Sequence, residues 1–79
     1  MKLSKKLLEA AEIHFTAELI KAETNLENYI QNSAAIGEHP DVVHEVITLI
    51  KMASEAEEAL EYTKKKIREK TKEQYENKD

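Results

Sequence analysis

The stretch Ala35-Ile36-Gly37-Glu38-His39-Pro40-Asp41 holds the only glycine and the only proline of the chain. The sequence on either side reads as helix, so the reading of these seven residues decides the fold. Gly37 takes the left-handed backbone that closes many helices at little cost, and Asn32 tolerates it. Pro40 lacks the N–H that a continuing helix would need. It fits instead at the threshold of a new helix. Asp41 can then accept bonds from the free N–H groups of the next turn. Its charge, with that of Glu38, suits the positive end of the helix dipole. The stretch predicts a stop, a turn and a restart.

Upstream of the turn, Leu8, Ala11, Phe15, Leu19, Ala22, Leu26 and Tyr29 recur at steps of three and four. That spacing lines one face of an α-helix. Downstream, Val42, Val46, Leu49, Ala53, Ala56, Leu60, Thr63 and Ile67 alternate steps of four and three, a heptad seam. The pattern predicts a single all-α domain over 1–79. Its first helix covers about residues 4–33, the hinge 34–40 and the second helix 41–74, with a frayed tail at 75–79. A short connection makes the two helices antiparallel neighbours, so residues whose numbers add to about 73 should lie level. Large side chains then oppose small ones: Leu19 falls near Ala53, and Phe15 near Ala56 and Leu60.

Two such seams do not use all the apolar residues. Val43, Ile47 and Ile50 widen the second helix's seam near the hinge. Ala10, Ile13, Ala17 and Ile20 lie roughly opposite Phe15 and Leu19 on the first. A lone hairpin leaves them wet, and a spaced apolar set is a candidate contact surface. The expected remedy is a homo-oligomer, with a two-fold dimer forming a four-helix bundle or coiled coil favoured. A chain of 79 residues without cysteine also needs some support beyond its own core.

The charges divide along the chain. Lys2, Lys5 and Lys6 open it, and Lys64, Lys65, Lys66, Arg68, Lys70 and Lys72 lie near its end. Residues 9–61 carry twelve acids against Lys21 and Lys51 alone. A hairpin gathers both basic blocks at one end. Lys64, Lys65, Lys66 and Arg68 are therefore candidate anion contacts, and contact with nucleic acid through Lys2–Lys6 and Lys64–Lys72 is the alternative function. The net charge of −4 and the lack of a helix-turn-helix pattern weigh against it.

Other chemistry finds little footing. Glu38, His39, Asp41, His44 and Glu45 crowd the turn, yet match no zinc signature. His44-Glu45 begins like a metalloprotease helix, but position 48 is threonine. Turn and cap residues explain the same letters. His14 flanks the apolar face as a lone histidine. No cysteine nucleophile, phosphate loop or nucleophile elbow occurs, so neither an enzyme nor a cofactor or metal is expected. Glutamates such as Glu61 read as partners for lysines four residues on, here Lys65. Glu9 and Glu12 rule out a signal peptide in the lysine- and leucine-rich opening, and no membrane span is expected.

Three stretches carry a resemblance: Asn28-Tyr29-Ile30-Gln31-Asn32, Ile36 to Asp41, and Ala53 to Leu60 (ASEAEEAL). Together they resemble small helical-hairpin proteins encoded by tailed bacteriophages, including phages of marine bacteria. The likeness covers about residues 24–62. In those proteins a proline often follows the asparagine, where Ser33 stands here. The resemblance implies a viral protein made in the cytoplasm of a bacterial host, with a host or virion protein as partner. It implies no activity.

Overall fold

The computed structural model describes the backbone of residues 2–32 and 41–76 and the side chains of 3–32 and 41–72. Over these residues the chain forms two helices, α1 (Lys2–Asn32) and α2 (Val42–Glu76), and no strand. The two pack against each other. By length α1 would span about 46 Å and α2 about 52 Å. The longest dimension of the molecule is 65 Å, so they lie side by side and not end to end. The eight residues between Asn32 and Asp41 reach at most about 35 Å, too short to carry the chain back along α1. The helices are therefore antiparallel. Gly37, Pro40 and the rest of 33–40 lie outside the described residues, as do 77–79.

The helix ends differ from the sequence expectation in physically readable ways. Asn32 does not close α1 in a left-handed conformation, which no described non-glycine residue adopts. It remains helical, and its amide donates to the Asn28 side chain at 2.7 Å. Gln31 bonds back to Glu27 in the same way at 3.1 Å, so the last turn is held by local amide contacts. At the start of α2 the backbone N–H of Glu45 donates to the Asp41 carbonyl at 3.0 Å, the first bond a capping residue makes. Glu45 supplies the acid of that first turn. Helix α2 runs through Glu76, within two residues of the expected bound of about 74. No glycine or proline follows Pro40 to stop it, and Lys, Glu and Gln are good helix formers. The last turn of α2 consequently holds no basic residue. The lysines at 64–72 lie upstream of that turn, and the dipole acts mainly within it.

Every seam position named from spacing is buried or half-buried. On α2 these run from Val42 to Ile67, and on α1 from Leu8 to Tyr29. Ala22 is 1% exposed, the least of any apolar core residue, and Leu49, Ala56 and Leu60 complete the buried apolar set. Alanine at the tightest points lets the backbones approach and the larger side chains interdigitate.

Thr63 is the one buried polar residue of the described set, at 6% exposure. Its hydroxyl donates to the Ala59 carbonyl at 2.8 Å, one turn back on its own helix. Thr16 does the same to Glu12 at 2.7 Å. The Thr63 hydroxyl is thus satisfied without reaching α1, while its methyl fills the seam. Thr63→Val should keep the packing and remove a helix back-bond that competes with the ladder. The expected result is unchanged helicity and a gain of about 0.5 kcal/mol in chemical denaturation. A loss above about 1 kcal/mol would mean that the hydroxyl contributes more than its own helix shows.

Candidate interaction surface

The seam consumes one stripe of each helix, and the remaining apolar residues are left in solvent. Val43 is 72% and Ile13 71% exposed, and Ile20, Ile47 and Ile50 are also exposed. Ala10 and Ala17 join them. The structure adds residues that the spacing argument passed over: Leu3, Leu7, Ile30, Met52 and Tyr62. Ile30 escaped because it adjoins Tyr29 of the seam. A single-residue step turns it by about 100°, onto the flank of α1.

These residues are not spread evenly around the hairpin. An open groove of about 370 Å³ joins His14, Phe15 and Glu18 of α1 to Met52, Glu55, Ala56 and Ala59 of α2. It marks one broad side of the molecule and fits the level pairing of an antiparallel hairpin. The His14 ring stands edge-on to Phe15 at 5.1 Å, packed on the apolar face as a surface histidine. At about 100° per residue, Met52 and Ala59 lie on one flank of the α2 seam while Val43, Ile47 and Ile50 lie on the other. On α1, His14 and Glu18 likewise share a flank, and Ile30 and Ile20 turn the opposite way. The groove therefore fixes one side, and Ile20, Ile30, Val43, Ile47 and Ile50 share the other. Ile13 and Ala17 sit further round, on the back of α1. With Glu12, Thr16 and Ile20 they line a shallow, mostly apolar depression.

The basic end is a composite of both helices. The antiparallel register brings Lys5 and Lys6 of α1 level with Ile67 and Arg68 of α2. Lys5, Lys6, Lys65, Arg68 and Lys72 are exposed. Two of the candidate anion contacts already have carboxylate neighbours. Lys64 lies 3.9 Å from Glu61, so Glu61 pairs three residues on and not with Lys65 as its spacing suggested. Lys66 lies 3.3 Å from Glu69. Its Nζ also sits 5.8 Å from the centre of the Tyr62 ring. The hydrogen bond to Glu69 and then the charges of Glu69 and Tyr62 raise the Lys66 pKa above its ordinary value of 10.5. The folded value being the higher, any stability from this contact is present below the unfolded pKa and fades as pH rises through the folded one. Titration between about pH 5 and about pH 9 should leave the contact intact, as read by the Lys66 side-chain NMR signals.

Among the described residues no group of three or more His, Asp or Glu side chains could hold an ion. Glu38 and His39 lie outside them, while Asp41 and His44 are exposed. No helix among the described residues is long and apolar enough to cross a membrane. Comparison with known proteins gave no match to a family model, a curated protein or a solved structure.

Proposed function

We propose that the protein is a non-enzymatic interaction module whose hairpin self-associates, with a dimer forming a four-helix bundle or coiled coil. The observation that carries this reading is a thin core beside a wide apolar exterior. Only Ala22, Leu49, Ala56 and Leu60 are buried apolar residues among those described, while ten large hydrophobic side chains are exposed. The chain exposes 6355 Å². A compact monomer of 9.1 kDa would expose about 4900 Å², and the unfolded chain about 13,000 Å². Folding thus buries about half of the unfolded surface, less than the ~60% typical of even a 60-residue domain. A second molecule supplies the missing cover.

Sedimentation equilibrium across the micromolar range tests this directly. The expected mass is twice that of the chain, with helicity and melting temperature rising with concentration. A fully helical species of single-chain mass at the highest concentration removes the proposal. The likeness to phage hairpin proteins would make such a dimer a minor virion or assembly component, or a binder of a host protein, in the bacterial cytoplasm.

The composite basic end favours one second reading, contact with nucleic-acid phosphates. Retention on duplex DNA should then be strong in low salt and fall steeply as salt rises. Lys65→Glu with Arg68→Glu should abolish it. No retention in low salt excludes this reading and leaves the first untouched.

A further inference from the structure

We propose that the basic end of the hairpin docks on an anionic phospholipid surface, with Leu3, Leu7 and Tyr62 seated among the headgroups and the turn projecting away from the membrane. This goes beyond self-association and does not rest on it. The starting observation is that exposed apolar side chains and cations coincide at one end. Leu3 is 64%, Leu7 62% and Tyr62 58% exposed, and none belongs to the seam. Residues 2–8 and 61–72 together carry nine cations against Glu61 and Glu69. Both of those carboxylates lie beside lysines, Glu61 by Lys64 and Glu69 by Lys66. Residues 73–79 add three acids and one lysine, so the end stays strongly positive.

Helix geometry gathers the apolar residues on one side. Leu7 lies about two turns before His14, and Leu3 about one turn before Leu7, so both continue the α1 flank that lines the groove. Tyr62 lies about two turns beyond Glu55, and Lys66 about two turns beyond Ala59, so they continue its α2 flank. The Lys66 ammonium sits 5.8 Å from the centre of the Tyr62 ring. At the basic end the groove side therefore runs out into two leucines and a tyrosine bordered by lysine.

That mixture selects the partner. Nucleic-acid phosphates neutralise cations but leave the leucines in water. A phospholipid surface covers both. Anionic headgroups attract clustered lysine and arginine on a helix. Apolar side chains enter the boundary between headgroups and acyl chains to a depth of about 5–10 Å. Leu3 and Leu7 lie about 6 Å apart along the axis, within that depth. A tyrosine ring suits the headgroup level, and lysine stems reach from there to the phosphates.

Charge sets the pose. Residues 9–61 carry twelve acids against Lys21 and Lys51, and an anionic surface repels that stretch. The molecule is 65 Å long, so contact through its basic end holds most of those acids away from the surface. The surface potential decays over about 8 Å at physiological salt, and acids beyond that distance cost little.

Vesicle binding tests the contact. The wild type should co-sediment with vesicles of phosphatidylcholine mixed with phosphatidylglycerol and not with phosphatidylcholine alone. Leu3→Ser combined with Leu7→Ser should weaken that binding about 30-fold with helicity kept, because inserted apolar area is lost. Any retention of the variant on duplex DNA should equal that of the wild type. No binding to the mixed vesicles in low salt overturns the proposal, and DNA retention in that case assigns the basic end to nucleic acid. Vesicle binding that the leucine variant keeps in full reduces the contact to charge and overturns the seating of the leucines. The chain has no tryptophan, so single tryptophans report the pose. Mixed vesicles should shift the emission of Leu7→Trp to the blue and leave that of Val43→Trp, near the turn, unchanged. Equal shifts would mean that the hairpin lies flat and would overturn the end-on contact.

Discussion

Leu60→Ala is expected to leave the hairpin largely unfolded at room temperature and micromolar concentration. Leu60 is 7% exposed and is one of only two large aliphatic side chains in the buried set. Truncating such a residue costs about 2–5 kcal/mol, the upper part of the range applying where the surroundings cannot collapse. Two straight helices closed at one end have little freedom to collapse. A domain of this length has a total stability of about 4–12 kcal/mol by the usual per-residue figure, and the modest burial here places it low. Leu60 also lies in the half of the hairpin remote from the turn, where no chain connection holds the helices together. The expected circular dichroism is a loss of most helical signal, together with a large fall in the urea midpoint measured on the remaining folded fraction. Leu7→Ala should change stability by no more than about 0.5 kcal/mol, since Leu7 is exposed. If Leu60→Ala melts like the wild type, the helices are not held by this seam.

The contrast between Leu7 and Leu60 shows how much the letters disclose. Both are leucines in helical sequence, and spacing alone assigns Leu60 to a heptad seam and leaves Leu7 out. At positions named by the same rule the structure buries Ala22, Leu49 and Ala56 and half-buries Phe15, since a period of 3.6 residues leaves few choices for a face that must be covered. The end of α1 at Asn32 was legible to within a few residues, but its conformation was not: Asn32 is helical, and Asn28 four residues back offers its amide a partner. Glu61 found Lys64 and not Lys65 because side chains three and four residues apart compete for the same carboxylate. Least legible was the sharing of a side by residues of different helices. Ile20 and Ile50 each have a readable angle from their own seam. Whether those angles point the same way depends on the antiparallel packing that the groove between His14, Glu18, Met52 and Ala59 makes visible. The exposed apolar residues were thus readable only in part, Leu3, Leu7, Ile30, Met52 and Tyr62 having been passed over, and their division into two sides was not readable.

The least exposed apolar residue yields the second large effect. Ala22→Leu should destabilise by about 1–3 kcal/mol, because Ala22 is 1% exposed and the added carbons have nowhere to go. Helix propensity does not confuse the result, since leucine is nearly as good a helix former as alanine. The level pairing places Ala22 between Leu49 and Ala53 of α2. Leu49 is itself buried, so Leu49→Ala alone should cost about 2–5 kcal/mol by opening a cavity. Combined, the two changes exchange a small residue for a large one across the same gap and restore the volume. The pair should therefore be more stable than the sum of its parts by about 1–3 kcal/mol, measured by urea denaturation of all four proteins in a double-mutant cycle. Strict additivity would mean that the two side chains do not share a space. The register would then have to slide by a turn, carrying every pairing between α1 and α2 with it.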